Sequence, residues 1–157
     1  MPNQPLLRSV LAYIAAVLVT YVIGAAAATQ GALAHLPAIA QESIDFGVRM
    51  STTAADLLGM LPAYAPLIAA ALLAGFVVTA FVLRWLPDLR TFGYTLAGAV
   101  ALLALHLIMR QTFDGIVPIA STRTTVGLLV QVFAGAVGGW LFARLGSGAT
   151  RSHPSSG

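Results

Sequence analysis

His106, Arg110 and Asp114 follow one another at four-residue spacing, which places them on one face of a helix. Asp45, Arg49, Thr52 and Asp56 repeat the arrangement at steps of four, three and four. With Arg123, and with Gln30 and His35 from earlier in the chain, these residues hold most of the chemistry that the sequence offers. Arg49, Arg110 and Arg123 carry guanidinium forks that match an anion or a lipid headgroup. Arg49, Asp56, His106, Arg110, Asp114 and Arg123 are therefore the candidate ligand-binding set. His106 beside Asp56 or Asp114 would instead allow proton transfer on a lipid substrate. A simpler role takes precedence over both. Arginines at a membrane edge snorkel to headgroups, and an ion-pair network there fixes helix ends, with His106 a neutral imidazole hydrogen-bonded inside. Asp45 ahead of Arg49 is the favourable order for a helical ion pair, yet exposed it contributes only about 0.3 kcal/mol.

No catalytic residue is assigned. GxxxxGK[ST], HExxH and GxSxG are all missing, and His35, His106 and His153 lack metal-ligand spacing, so no metal or other cofactor is expected. The chain contains no cysteine, which excludes a disulfide, a thiolate nucleophile and S-acylation. Its net charge of +3 rests on arginines spread singly, which gives no nucleic-acid patch.

The elements that must position these residues are hydrophobic helices. A chain that is 59% hydrophobic and 8% charged cannot supply the polar surface of a soluble domain of 157 residues. The stretch Thr124 to Leu145 is long enough to cross the roughly 30 Å hydrocarbon core. Gly127, Gln131, Gly135 and Gly139 recur along it at every fourth position, with Ala134 and Gly138 beside them. In lipid, helices associate through close approach over small residues and through interhelical hydrogen bonds, so this helix belongs inside a bundle with Gln131 reaching a partner. Gln131 falls near mid-membrane, at a depth comparable to Tyr21 and Thr79.

Three further spans precede it, at about 9–36, 63–86 and 91–114, with the last at 124–145. The first also imitates a cleavable signal peptide; its apolar character continues to Leu36, beyond a signal core of roughly 7 to 15 residues, which favours a retained helix. Residues 41–61 read as a separate amphipathic helix at the bilayer edge, with Ile44, Val48, Ala55 and Leu58 on its apolar side. Pro62 and Pro66 then open the second span, where the first-turn amides have no intrahelical acceptor. The short connection around Arg84 to Arg90 makes the second and third spans antiparallel neighbours. The polar, Gly/Ser-rich residues 146–157 read as a disordered tail on a single membrane domain formed by residues 1–145.

The expected fold is therefore all-α: a polytopic membrane protein, a four-helix bundle with an extra amphipathic helix outside the cytoplasm. Arg8, Arg84, Arg90, Arg144 and Arg151 fall on one side and Arg49, Arg110 and Arg123 on the other, which predicts both termini inside a bacterial-type inner membrane. Tyr13, Trp85, Tyr94 and Trp140 would form an aromatic belt at the inner interface. The function expected is that of a non-enzymatic helix-packing subunit, as a homo-oligomer or with other membrane subunits. A small channel or transporter with an outer Arg/His vestibule comes second, and a lipid-modifying enzyme third.

Overall fold

The computed structural model describes residues 4–35, 45–112 and 125–146, and all regular structure among them is helical. Four helices follow in order: α1 (Gln4–His35), α2 (Phe46–Val82), α3 (Arg90–Thr112) and α4 (Thr125–Gly146), with a 3-10 turn at Pro87–Leu89 between α2 and α3. Each is long and apolar enough to cross a membrane. They close into a ring in which α1 lies against α2 and α4, and α3 against α2 and α4, while α2 and α4 face each other across the diagonal and meet through side chains.

Helix α2 departs most from the pattern read in the sequence. The amphipathic segment and the second span are one continuous helix of 37 residues, with Pro62 and Pro66 in its interior. Both prolines are exposed on the outside of the bundle. The outer half is held by tertiary hydrogen bonds to α1, so the helix persists although each proline removes a backbone donor. Asp45 caps it, its carboxylate accepting from the Gly47 N–H at 2.9 Å. Arg49 reaches across to α1 instead of back to Asp45, so the expected ion pair gives way to a cap and an interhelical contact.

Helices α3 and α4 share the most extensive interface, and its cause is the glycine stripe. A Cβ on Gly98 would overlap the Gly135 carbonyl oxygen, and one on Gly139 would overlap the Tyr94 carbonyl oxygen. The two backbones therefore touch directly, the arrangement that small residues make available in lipid. Gly138 turns toward α1, facing the Thr20 hydroxyl and the Ala16 carbonyl.

Beneath the glycine contacts each helix contributes one aromatic ring to a shared cluster. Phe76 of α2 stacks on Phe142 of α4 at 4.5 Å and meets Tyr94 of α3 edge-on at 5.5 Å and Tyr13 of α1 at 6.4 Å. The Tyr13 hydroxyl donates to the Ala69 carbonyl at 2.6 Å, and Arg90 lies 5.6 Å from the Tyr94 ring centre. Tyr13 and Tyr94 thus pack inside the bundle rather than in an outward belt; Trp85 and Trp140 alone of the four expected rings face outward. The Tyr13 hydroxyl finds a carbonyl partner on α2, and the Tyr94 ring lies under the Arg90 guanidinium, so both rings are engaged within the protein.

Candidate functional site

Polar side chains follow one another along the inner face of α2. At the amino-terminal end of α2 the Arg49 guanidinium donates to Gln30 Oε1 at 3.4 Å, and Gln30 Nε2 donates to Thr53 Oγ1 at 2.9 Å. Thr53 in turn donates to the Arg49 carbonyl at 2.8 Å, which closes the group. About one turn inward the Thr29 hydroxyl donates to Asp56 Oδ2 at 2.8 Å, so α1 and α2 are joined by two successive polar ties. Next comes Tyr21 of α1, whose hydroxyl donates to the Leu57 carbonyl.

Deeper still, one network reaches all four helices. His106 of α3 is buried, with Nδ1 2.8 Å from the Leu102 carbonyl and Nε2 3.2 Å from the Tyr64 hydroxyl. The Tyr64 hydroxyl, on α2, also lies 3.1 Å from Gln131 Oε1. Gln131, fully buried on α4, donates through Nε2 to the Gly24 carbonyl of α1 at 2.9 Å. That carbonyl fixes which way the Gln131 amide points, because turning it over would set oxygen against oxygen. A Cβ on Gly24 would stand 2.6 Å from Gln131 Oε1, so the network requires the glycine for room. The Tyr21 and Tyr64 rings lie 6.1 Å apart and connect this core to the polar groups above it.

The candidate residues are thus divided rather than gathered. Arg49 and Asp56 meet α1 partners near the outer end, and His106 joins Tyr64 and Gln131 in the core. Arg110 is exposed one turn beyond His106. His106 and Asp56 are not hydrogen-bond partners, and Asp56 precedes Tyr64 by eight residues, about 12 Å along the helix. Asp114 and Arg123 lie outside the described residues, as do the loop and tail readings for 37–44, 113–124 and 147–157. Of the packing set, Gln131, Gly135 and Gly139 are buried between helices, whereas Gly127 is half-buried. Among the described residues no three acidic or histidine side chains converge as metal ligands.

Three participants escaped the sequence reading: Tyr64, Gly24 and Gly98. Tyr64 sits between two prolines, and once these are taken for the mouth of a helix the tyrosine reads as an interfacial ring. A tyrosine within an unbroken apolar helix would have stood out as a buried hydroxyl in need of a partner. Gly98 follows Tyr94 by four residues and faces the α4 stripe, an echo that was visible in the sequence.

A cavity of about 770 Å³ opens on the outside of the bundle between α2 and α3. Ala71, Gly75, Ala97 and Ala101 lie along it, with Leu67, Val78, Phe92 and Val100 among its larger residues. At its floor the helices are close, since a Cβ on Gly75 would come 3.2 Å from the Ala97 carbonyl oxygen. No family model, curated protein or solved structure matches the chain.

Proposed function

We propose that the chain is a non-enzymatic, multi-pass subunit of the inner membrane, with both termini on the cytoplasmic side. It takes a transmembrane helix of a different membrane protein into the groove between α2 and α3. The observation that carries this reading is the groove itself: it is concave and, but for Thr79, lined by apolar residues, with alanines and glycines, the residue types over which membrane helices approach closely, among larger aliphatic side chains. The stripe on α4 that would otherwise serve self-association is used up within the chain, against Gly98, Tyr94 and Thr20. A groove is not complementary to itself. A second copy would have to present some other face to it, and a head-to-tail contact of that kind grows into rings or filaments instead of closing as a pair.

The cysteine-free sequence makes the test clean, because an introduced thiol is unique. Ala74→Cys in the groove and Leu18→Cys on the outer face of α1 would be cross-linked in native membranes. Native mass spectrometry of the complex would then give its stoichiometry. The expected result is an adduct with a foreign chain from Ala74→Cys alone, in fixed ratio, abolished by Ala101→Leu. A homodimer from Ala74→Cys, or equal yields from the two positions, would overturn the reading.

A second reading, a small channel or transporter for an anionic or polar solute, is favoured by the polar succession from Arg49 to Gln131 along the inside of α2. In reconstituted vesicles it predicts solute flux that Asp56→Asn and His106→Leu both reduce. The packing reading predicts no flux.

A further inference from the structure

The His106 network contains four close polar contacts, and four contacts need four hydrogens. His106 Nδ1 to the Leu102 carbonyl takes one, because a carbonyl oxygen only accepts; this places the ring hydrogen on Nδ1. Gln131 Nε2 to the Gly24 carbonyl takes the second. The Tyr64 hydroxyl holds the third and has two acceptors to serve: Gln131 Oε1 at 3.1 Å and, on a neutral ring, the bare His106 Nε2 at 3.2 Å. Whichever it leaves faces an oxygen lone pair in a buried site. The other neutral tautomer is no better, since it sets a bare Nδ1 against the Leu102 carbonyl at 2.8 Å. An imidazolium removes the conflict: Nε2–H donates to the Tyr64 oxygen, and the Tyr64 hydrogen turns to Gln131. Each of the four contacts in the line from Leu102 to Gly24 then has its own hydrogen.

We infer that His106 and Tyr64 form a proton-binding site in the middle of the bundle, filled when His106 Nε2 takes a proton from hydronium and the Tyr64 hydroxyl turns toward Gln131. In that step one O–H bond of hydronium breaks to leave water, one N–H bond forms at Nε2, and Tyr64 keeps its own hydrogen. The groups around the ring are few. From α1 come Tyr21, committed to the Leu57 carbonyl, and the Gly24 carbonyl; from α2 come Tyr64 and, about 12 Å outward, Asp56; from α4 comes the uncharged Gln131. On α3 itself Arg110 lies one turn away and is exposed. Among the described residues no carboxylate faces the imidazole, so the cation gains hydrogen bonds but no counter-ion. The neutral form is one hydrogen short and the charged form lacks an anion. A site balanced in this way exchanges its proton, as buried ionisable groups in membrane bundles characteristically do. Because its four members lie on four helices, proton occupancy also sets how firmly the helices are joined. The site stands whether or not a partner helix fills the groove.

The test is nitrogen NMR of the full chain in nanodiscs with labelled histidine, after His35→Gln and His153→Gln leave His106 as the sole reporter. As the pH is lowered from about 8 (unperturbed imidazoles are neutral there), we expect a ring protonated at Nδ1 alone to become protonated at both nitrogens while the helices remain intact. Gln131→Leu releases Tyr64 to serve the neutral ring permanently, and the ratio of doubly to singly protonated ring at a given pH then falls about tenfold. A neutral ring protonated at Nε2 would overturn the inference. So would a ring that stays singly protonated until the chain unfolds, or a Gln131→Leu protein that titrates like its parent. If Gln131→Leu fails to fold, the titration of the parent decides alone.

Discussion

The α3–α4 and α1–α2 interfaces join helices by opposite means. Between α3 and α4 the contact is backbone against backbone, and side chains matter there chiefly by their absence, at Gly98, Gly135 and Gly139. Between α1 and α2 the contact is made by long polar side chains, Gln30 with Thr53 and Arg49, and Thr29 with Asp56. A glycine seam tolerates no added atoms, because the obstruction is a carbonyl oxygen fixed in a helix. A polar seam loses one hydrogen bond at a time and has water as a substitute wherever it reaches the surface. The first should therefore fail abruptly and the second gradually.

Substitutions at the two seams should separate them in order of size. Gly135→Leu is expected to be the most damaging, at about 3 kcal/mol or more, since neither helix can yield without losing the rest of the interface. Denaturant titration followed by helical circular dichroism measures it, and an unchanged midpoint would contradict the backbone contact. Gln131→Leu should follow, at about 1 to 2 kcal/mol, because it removes ties to both α1 and α2 from a buried site. Thr29→Val deletes the bond to Asp56 and should lower stability by about 0.6 kcal/mol, the usual value of such a bond in a membrane bundle. Arg49→Gln should be smaller again, below about 0.5 kcal/mol, and should shrink further as salt is added. If Thr29→Val proved as severe as Gly135→Leu, the contrast between the seams would be void.

The seams also differed in how readily the sequence disclosed them. Glycines at fixed spacing on one helix are visible without any partner, so the α4 stripe and the inward placement of Gln131 could be read directly. What the stripe packs against could not be read, because spacing within one helix carries no information about the register of the next. The polar residues of α1 and α2 were equally visible, yet their pairing depended on the continuity of α2 through Pro62 and Pro66. Local chemistry argued for a break at those prolines, and the hydrogen bonds to α1 that override it are long-range. The same break concealed Tyr64, and with it the identity of the partner that His106 was expected to find inside the bundle. Single-helix patterns were legible; the register between helices was not.

The unequal lengths of the four helices bear on how the molecule stands in a bilayer. At 1.5 Å per residue, α1 with 32 residues and α2 with 37 extend about 48 and 55 Å, whereas α3 with 23 and α4 with 22 reach only about 33 to 35 Å. The shorter pair matches a hydrocarbon core of about 30 Å; the longer pair overshoots it by about 18 to 25 Å. An upright bundle would therefore carry a two-helix spur above the lipid, with Arg49, Gln30 and Thr53 clasping its stem. Such a spur gives an antibody or a protease a handle on one side of the membrane only, and a load applied at its tip would be transmitted down α2 to the short turn that leads into α3.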